Sequence, residues 1–319
     1  MGQAVPAAAR VMWAERQRRI HHYLWHTIRN GWEWFEQVDR EAITEWGWAP
    51  PRPALIRQPN GQRQINLTNH SGEDFLYMHR QMIFAMNLKL SEISDPAYPQ
   101  VEPWAKLPGA NDPEYPVPAP WDTGDAGFTA YLAESKNDAF FADVMQKWEA
   151  EYRSVDYLQS VSLGELGARI EFTIHNRMHI RWCREMEGRP DTNSVDPDSI
   201  EPAWDVPAYN WLADTYSSHV NDVFWKIHGW VDACIDAWAD ANGITGGIQW
   251  IGKWVGRMPP PPDPFSLHGM LAADITSSSD LRAPEKRMQE HGQVMDEVLK
   301  IVQKSGVRCH FYDAIYAER

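Results

Sequence analysis

Two histidines four residues apart, His175 and His179, lie in a run whose apolar positions Ile170, Ile174, Met178 and Trp182 recur at helical spacing. On a helix that spacing stacks both imidazoles on one face, about a turn apart. Two neutral rings placed in this way can chelate a metal ion with little further ordering, and a third nitrogen must then come from elsewhere in the chain. His228 is the candidate. It sits among Val223, Phe224, Trp225, Ile227, Trp230 and Val231, where a lone polar ring requires a partner. Such a set constrains the fold strongly, because the helices carrying it must face one another across a buried space.

A second group lies upstream. His70 and His79 stand nine residues apart in NHSGEDFLYMHRQMIF, and His21, His22 and His26 occupy the amphipathic N-terminal segment. Residues 27–69 contain no histidine, so a further upstream ligand must be one of those three. No CxxC accompanies either group. All-imidazole ligation suits copper, zinc or iron, and two facing clusters suggest a dinuclear centre.

These residues carry a family resemblance. HNRMHIRW resembles the HNxVHxW signature at the second copper site of tyrosinases and other type 3 copper proteins, and NDVFWKIHGWVDACIDAW is similar to their NDPxFxxHHxxxDxxWxxW segment. HSGEDFLYMHR resembles their HxxxxxFLPWHR segment, and APWDT at 119–123 is faintly similar to the PYWDW that follows it. The pieces keep the family's order over about residues 65–240. Ile227 stands where the family has the first of two adjacent histidines, and no Pro follows Asp222.

The resemblance implies a mainly α fold with a four-helix-bundle core, long irregular loops and two copper ions. Its ligands are His70 and His79 at the first site and His175, His179 and His228 at the second. The remaining first-site ligand is His26 by resemblance, with His22 next; helical phase alone favours His21 as the inward ring. Asn176, with Glu165 or Glu171, is the expected holder of a water that takes the phenolic proton.

The implied activity is that of a copper oxidoreductase using dioxygen. It would ortho-hydroxylate small phenolic substrates, or oxidise catechols or o-aminophenols to quinone-type products, a specialised natural product among the candidate substrates. The alternatives are a copper- or oxygen-binding protein without turnover, a site with an incomplete first copper centre, and a di-iron or purely structural bundle. Di-iron bundles draw on several Glu ligands, which the histidine segments lack.

The rest of the chain fits around this core. A net charge of −14 opposes nucleic-acid binding. No apolar run reaches the roughly 18 residues of a spanning helix, and the N-terminus lacks a leader pattern; the expectation is a soluble cytoplasmic protein. Three widely spaced cysteines form no disulfide framework. Seventeen Trp suit the core of a large helical bundle.

Helices are predicted within 7–40, at 74–92, 128–152 and 156–186, as one or a pair over 207–242, and at 284–304. Pro-rich stretches at 49–66 and 93–127 read as loops. Residues 1–258 are expected to form the dinuclear copper domain. Residues 259–319 are expected to form a linker, Pro259–Pro262, and a C-terminal helical tail packed on the same domain. In that tail Phe311, Tyr312 and Tyr316 offer a candidate plug for the site, against the simpler reading that a Met288, Met295, Val298 and Val302 face packs on the bundle.

Overall fold

The computed structural model describes residues 4–185, 202–257 and 284–307, and is mainly helical. Helix α1 is Ala7–Trp13, α2 is Arg16–Gly31 and α3 is Gln37–Glu45. A hairpin of β1 (Leu55–Arg57) and β2 (Arg63–Ile65) follows, with Leu55 paired to Ile65. The Pro-rich stretch 49–66, expected to be loop throughout, therefore contains a short hairpin. Its prolines fall outside the two short strands, and Gly61 takes the left-handed conformation in the turn between them.

Helix α4 spans Ser71–Ile93 and α5 spans Ala126–Lys136. Between them, the eight prolines of residues 93–127 leave no regular element, because each removes a backbone donor and fixes its φ. This wrap is nevertheless anchored, with Tyr98, Val101, Trp104 and Leu107 buried in the core. Helix α6 covers 138–151 with a π turn at Phe141–Met145, and α7 is Val155–Ser160.

Helix α8 joins Leu163–Ile170, a π turn at Glu171–His175, and Asn176–Trp182. Ser162 caps its start by accepting from the Glu165 amide. Every residue from Ile170 to Cys183 is buried, so this part of α8 runs through the centre with no wet face.

Helix α9, Asp222–Ala241, starts at an Asn221 cap whose side chain accepts from the Val223 amide. The helix predicted from 207 is therefore corrected: residues 205–221 are an irregular loop with one short 3-10 turn, Ser218–Val220. Helix α10, Pro284–Ser305, packs on α2 and α3. Its Met295, Val298, Leu299 and Val302 join the same apolar core as the N-terminal helices. The linker at 259–262, the Met288 side chain and the aromatic terminus proposed as a plug lie outside the described residues.

Candidate metal centre

Six buried histidines from four helices converge in two groups: His22, His26 and His79, and His175, His179 and His228. Within each group the candidate ligand atoms lie within 4.8 Å of one another. Helix α2 supplies His22 and His26, α4 supplies His79, α8 supplies His175 and His179, and α9 supplies His228. The groups adjoin: the His79 ring stacks on His228 with centroids 4.2 Å apart, and lies 6.0 Å from His175.

In the second group the Nε2 atoms of His175 and His179 lie 3.4 and 3.3 Å from Nε2 of His228. Metal–imidazole bonds of about 2.0–2.1 Å at tetrahedral angles would separate ligand nitrogens by about 3.3 Å. The spacing thus suits three nitrogens around one ion.

Tautomers support the same reading. His179 Nδ1–H donates to the Leu212 carbonyl at 2.7 Å. His175 Nδ1–H faces the Glu171 carbonyl at 3.3 Å and Asn176 Oδ1 at 3.1 Å. A neutral ring that donates through Nδ1 keeps its lone pair on Nε2. Both lone pairs therefore point at the third Nε2, and a shared cation resolves the contact.

The first group is built alike. His22 Nδ1–H donates to the Thr215 carbonyl at 2.6 Å, and His79 Nδ1–H to the Phe75 carbonyl at 2.9 Å. Nε2 of His22 and Nε2 of His79 are then buried without a protein hydrogen bond. Fixing a ligand's far nitrogen on a carbonyl both orients the ring and raises its basicity toward a metal.

Burial is the main cause that holds all six rings below the ordinary imidazole range, to about 3 for His22 and about 4 for His175. His26, His79, His179 and His228 are pushed the same way, with neighbouring histidines adding to the effect. Neutral rings are the state a metal requires. An aromatic shell excludes water, with Phe224 against His228 at 3.9 Å and Phe75 against His79 and His175 at 4.6 and 4.9 Å.

Three of the expected site residues are not among the six converging rings. His70 lies outside both groups; it occupies a left-handed turn at the start of α4, with Nδ1 3.0 Å from Glu73. Nine residues of helix rise by about 13 Å, which carries it away from His79, and the place expected for His70 in the first group is taken by His22, beside His26. Glu165 pairs with Arg169 at the half-exposed start of α8, and not with the buried rings. Glu171 is buried one turn before His175, and both of its carboxylate oxygens accept from Arg29, at 2.6 and 2.8 Å.

Asn176 does sit beside His175, where its Oδ1 supports the ring. His21 lies outside the two groups, packed on Trp48. His219 escaped the sequence reading: it is fully buried, its Nδ1 is 3.1 Å from His22 Nδ1, and its Nε2 is 3.1 Å from the Trp13 carbonyl. No helical periodicity could have revealed it, since it lies in the 205–221 loop.

Comparison with models of known protein families and with curated proteins returns no match to this chain.

Proposed function

We propose that the chain is a dinuclear copper oxidoreductase of the tyrosinase kind, acting with dioxygen on small phenols, catechols or o-aminophenols. The observation that carries this reading is the pairing of two three-imidazole groups through the stacked His79 and His228 rings. Neither group contains a carboxylate or thiolate. With no anionic ligand to offset two adjacent divalent charges, the site favours the lower charge of a reduced copper pair, and imidazole suits copper among the first-row metals. When bound, two such ions supply reversible electron transfer to dioxygen.

The protein's own part is to orient and to exclude water. Leu212, Thr215 and Phe75 hold three rings by their Nδ1 protons, and Asn176 steadies a fourth. The shell of Trp25, Phe75 and Phe224 keeps water from the reactive centre. Oxidation of a catechol to an o-quinone releases two electrons and two protons; dioxygen accepts four of each to give two waters, so two catechols are consumed per dioxygen.

A second reading is copper-dependent dioxygen binding without turnover. It is favoured by the near-complete burial of all six rings, none more than 3% exposed, which leaves little room for a substrate ring beside them. The test is oxygen uptake by copper-reconstituted protein in the presence of catechol, 2-aminophenol or phenol, with His228→Ala as control. Consumption of two catechol or 2-aminophenol molecules per dioxygen, or of one phenol per dioxygen where hydroxylation precedes oxidation, abolished by His228→Ala, is the expected result. Reversible uptake with no substrate loss would assign the second reading, and no uptake in either case would overturn both.

A further inference from the structure

A single loop reaches both histidine groups. Residues 205–221 present the Leu212 carbonyl to His179 and the Thr215 carbonyl to His22, at 2.7 and 2.6 Å. The two carbonyls are three residues apart, yet they serve one ring of each group. The same loop places His219 Nδ1 against His22 Nδ1. Since His22 Nδ1–H must donate to Thr215, His219 accepts at Nδ1 and donates from Nε2 to the Trp13 carbonyl. The loop therefore fixes the tautomer of His22 from two sides.

What shapes the loop is a buried carboxylate. Asp214, between the two carbonyl-bearing residues, accepts from the Tyr209 hydroxyl at 2.9 Å, the Ser217 hydroxyl at 3.1 Å and the Tyr216 amide at 2.9 Å. Its own carbonyl accepts from the Ser218 amide at 2.8 Å. Arg19, one turn before His22 on α2, donates to the Val206 and Tyr209 carbonyls at 2.8 and 3.0 Å. Asn221 fastens the far end by donating to the Asn210 carbonyl at 2.8 Å. A segment without regular structure is thus held by a buried polar network, three of whose donors converge on the Asp214 carboxylate.

We infer that the 205–221 loop is a shared positioning element for the two groups, and that Asp214 sets metal binding at both. A ring that can flip or exchange its Nδ1 proton offers the wrong nitrogen part of the time. Loss of such an outer partner typically weakens a metal site about 10- to 100-fold. The inference rests on the metal-binding reading above, but the loop's effect on the rings exists without any metal.

The experiment compares the full-length protein with Asp214→Asn and with Leu90→Ala. The latter is a cavity variant at the buried end of α4, away from the histidines. Histidine 15N NMR of the metal-free protein should show slowly exchanging Nδ1–H protons on both His22 and His179. Asp214→Asn should lose protection at both, and copper titration should show affinity lowered about 10-fold or more at each group. Leu90→Ala should destabilise the protein while leaving the two protons and both affinities in place.

Wild-type tautomers in Asp214→Asn would overturn the inference, and so would a loss confined to one group. A wild-type protein that takes up no metal would overturn the functional reading; the Nδ1–H comparison would then decide the loop's role alone.

Discussion

Replacing Gly72 by Ala is expected to destabilise the protein by about 3 kcal/mol, at or beyond the upper end of the usual cost of overpacking. A Cβ at Gly72 would lie 2.1 Å from the Gly164 carbonyl oxygen and 2.2 Å from the Ala168 nitrogen. Both are backbone atoms and cannot rotate away. From the other side, a Cβ at Gly167 would lie 2.3 Å from the Gly72 oxygen. Helices α4 and α8 therefore meet backbone to backbone, which only glycine permits. A methyl group must push them apart by about 1 Å or more to reach ordinary contact distance.

That displacement acts on the site, because α4 carries His79 and α8 carries His175. Gly72→Ala should lower the urea midpoint and weaken copper uptake together. Gly109→Ala, where nothing lies within 4 Å of the added atom, should stay within about 0.5 kcal/mol of wild type. An unchanged midpoint for Gly72→Ala would remove the close contact from the account.

Removing one side of the Arg29–Glu171 pair is expected to cost about 3–5 kcal/mol, as for other buried ion pairs left uncompensated. Arg29 stands one turn after His26 on α2, and Glu171 one turn before His175 on α8. The guanidinium grips both carboxylate oxygens, donates to the Ser71 carbonyl at 2.7 Å, and sits over the Trp25 ring at 4.9 Å. One side chain thus ties together three of the helices that bear the histidines.

Burial raises the Glu171 carboxyl above its ordinary range, and Arg29 opposes that rise. Glu171→Gln keeps the shape but leaves Arg29 charged in a dry interior. The double change Arg29→Met with Glu171→Leu removes both charges and should recover most of the lost stability. Copper uptake should remain impaired in the double variant, since the tie between the helices is gone. Equal destabilisation by the single and double changes would show that packing, and not charge compensation, sets the cost.

The histidine groups were legible wherever local spacing decided the matter. The i,i+4 pair His175/His179 and the lone His228 in an apolar run each announced an inward ring, and the structure brings these three together. Spacing failed on α2, because almost every residue from Arg19 to Gly31 is buried. With no wet face, helical phase could not rank His21, His22 and His26, and the structure gathers two of them.

His70 lies apart from the converging rings because likeness to a motif fixes order along the chain but not the turn in which a residue lies. Its left-handed conformation at the head of α4 cannot be read from composition. The pairing of Glu171 could not be read from local spacing, because its partner, Arg29, is 142 positions away in sequence. The carbonyls of Leu212 and Thr215 were invisible for a more general reason: they are backbone atoms, and any residue type could supply them.

Copper content per chain, measured after reconstitution of the wild type, His79→Ala and His228→Ala, tests the dinuclear centre most directly. Two separate three-imidazole sites predict two copper ions in the wild type and one in each variant, the surviving ion differing between them in its electron paramagnetic resonance spectrum. The oxidised wild type should be nearly silent in the same spectrum, because two adjacent Cu(II) ions couple. A wild type that holds one ion or none, or variants that both retain two, would contradict the dinuclear centre.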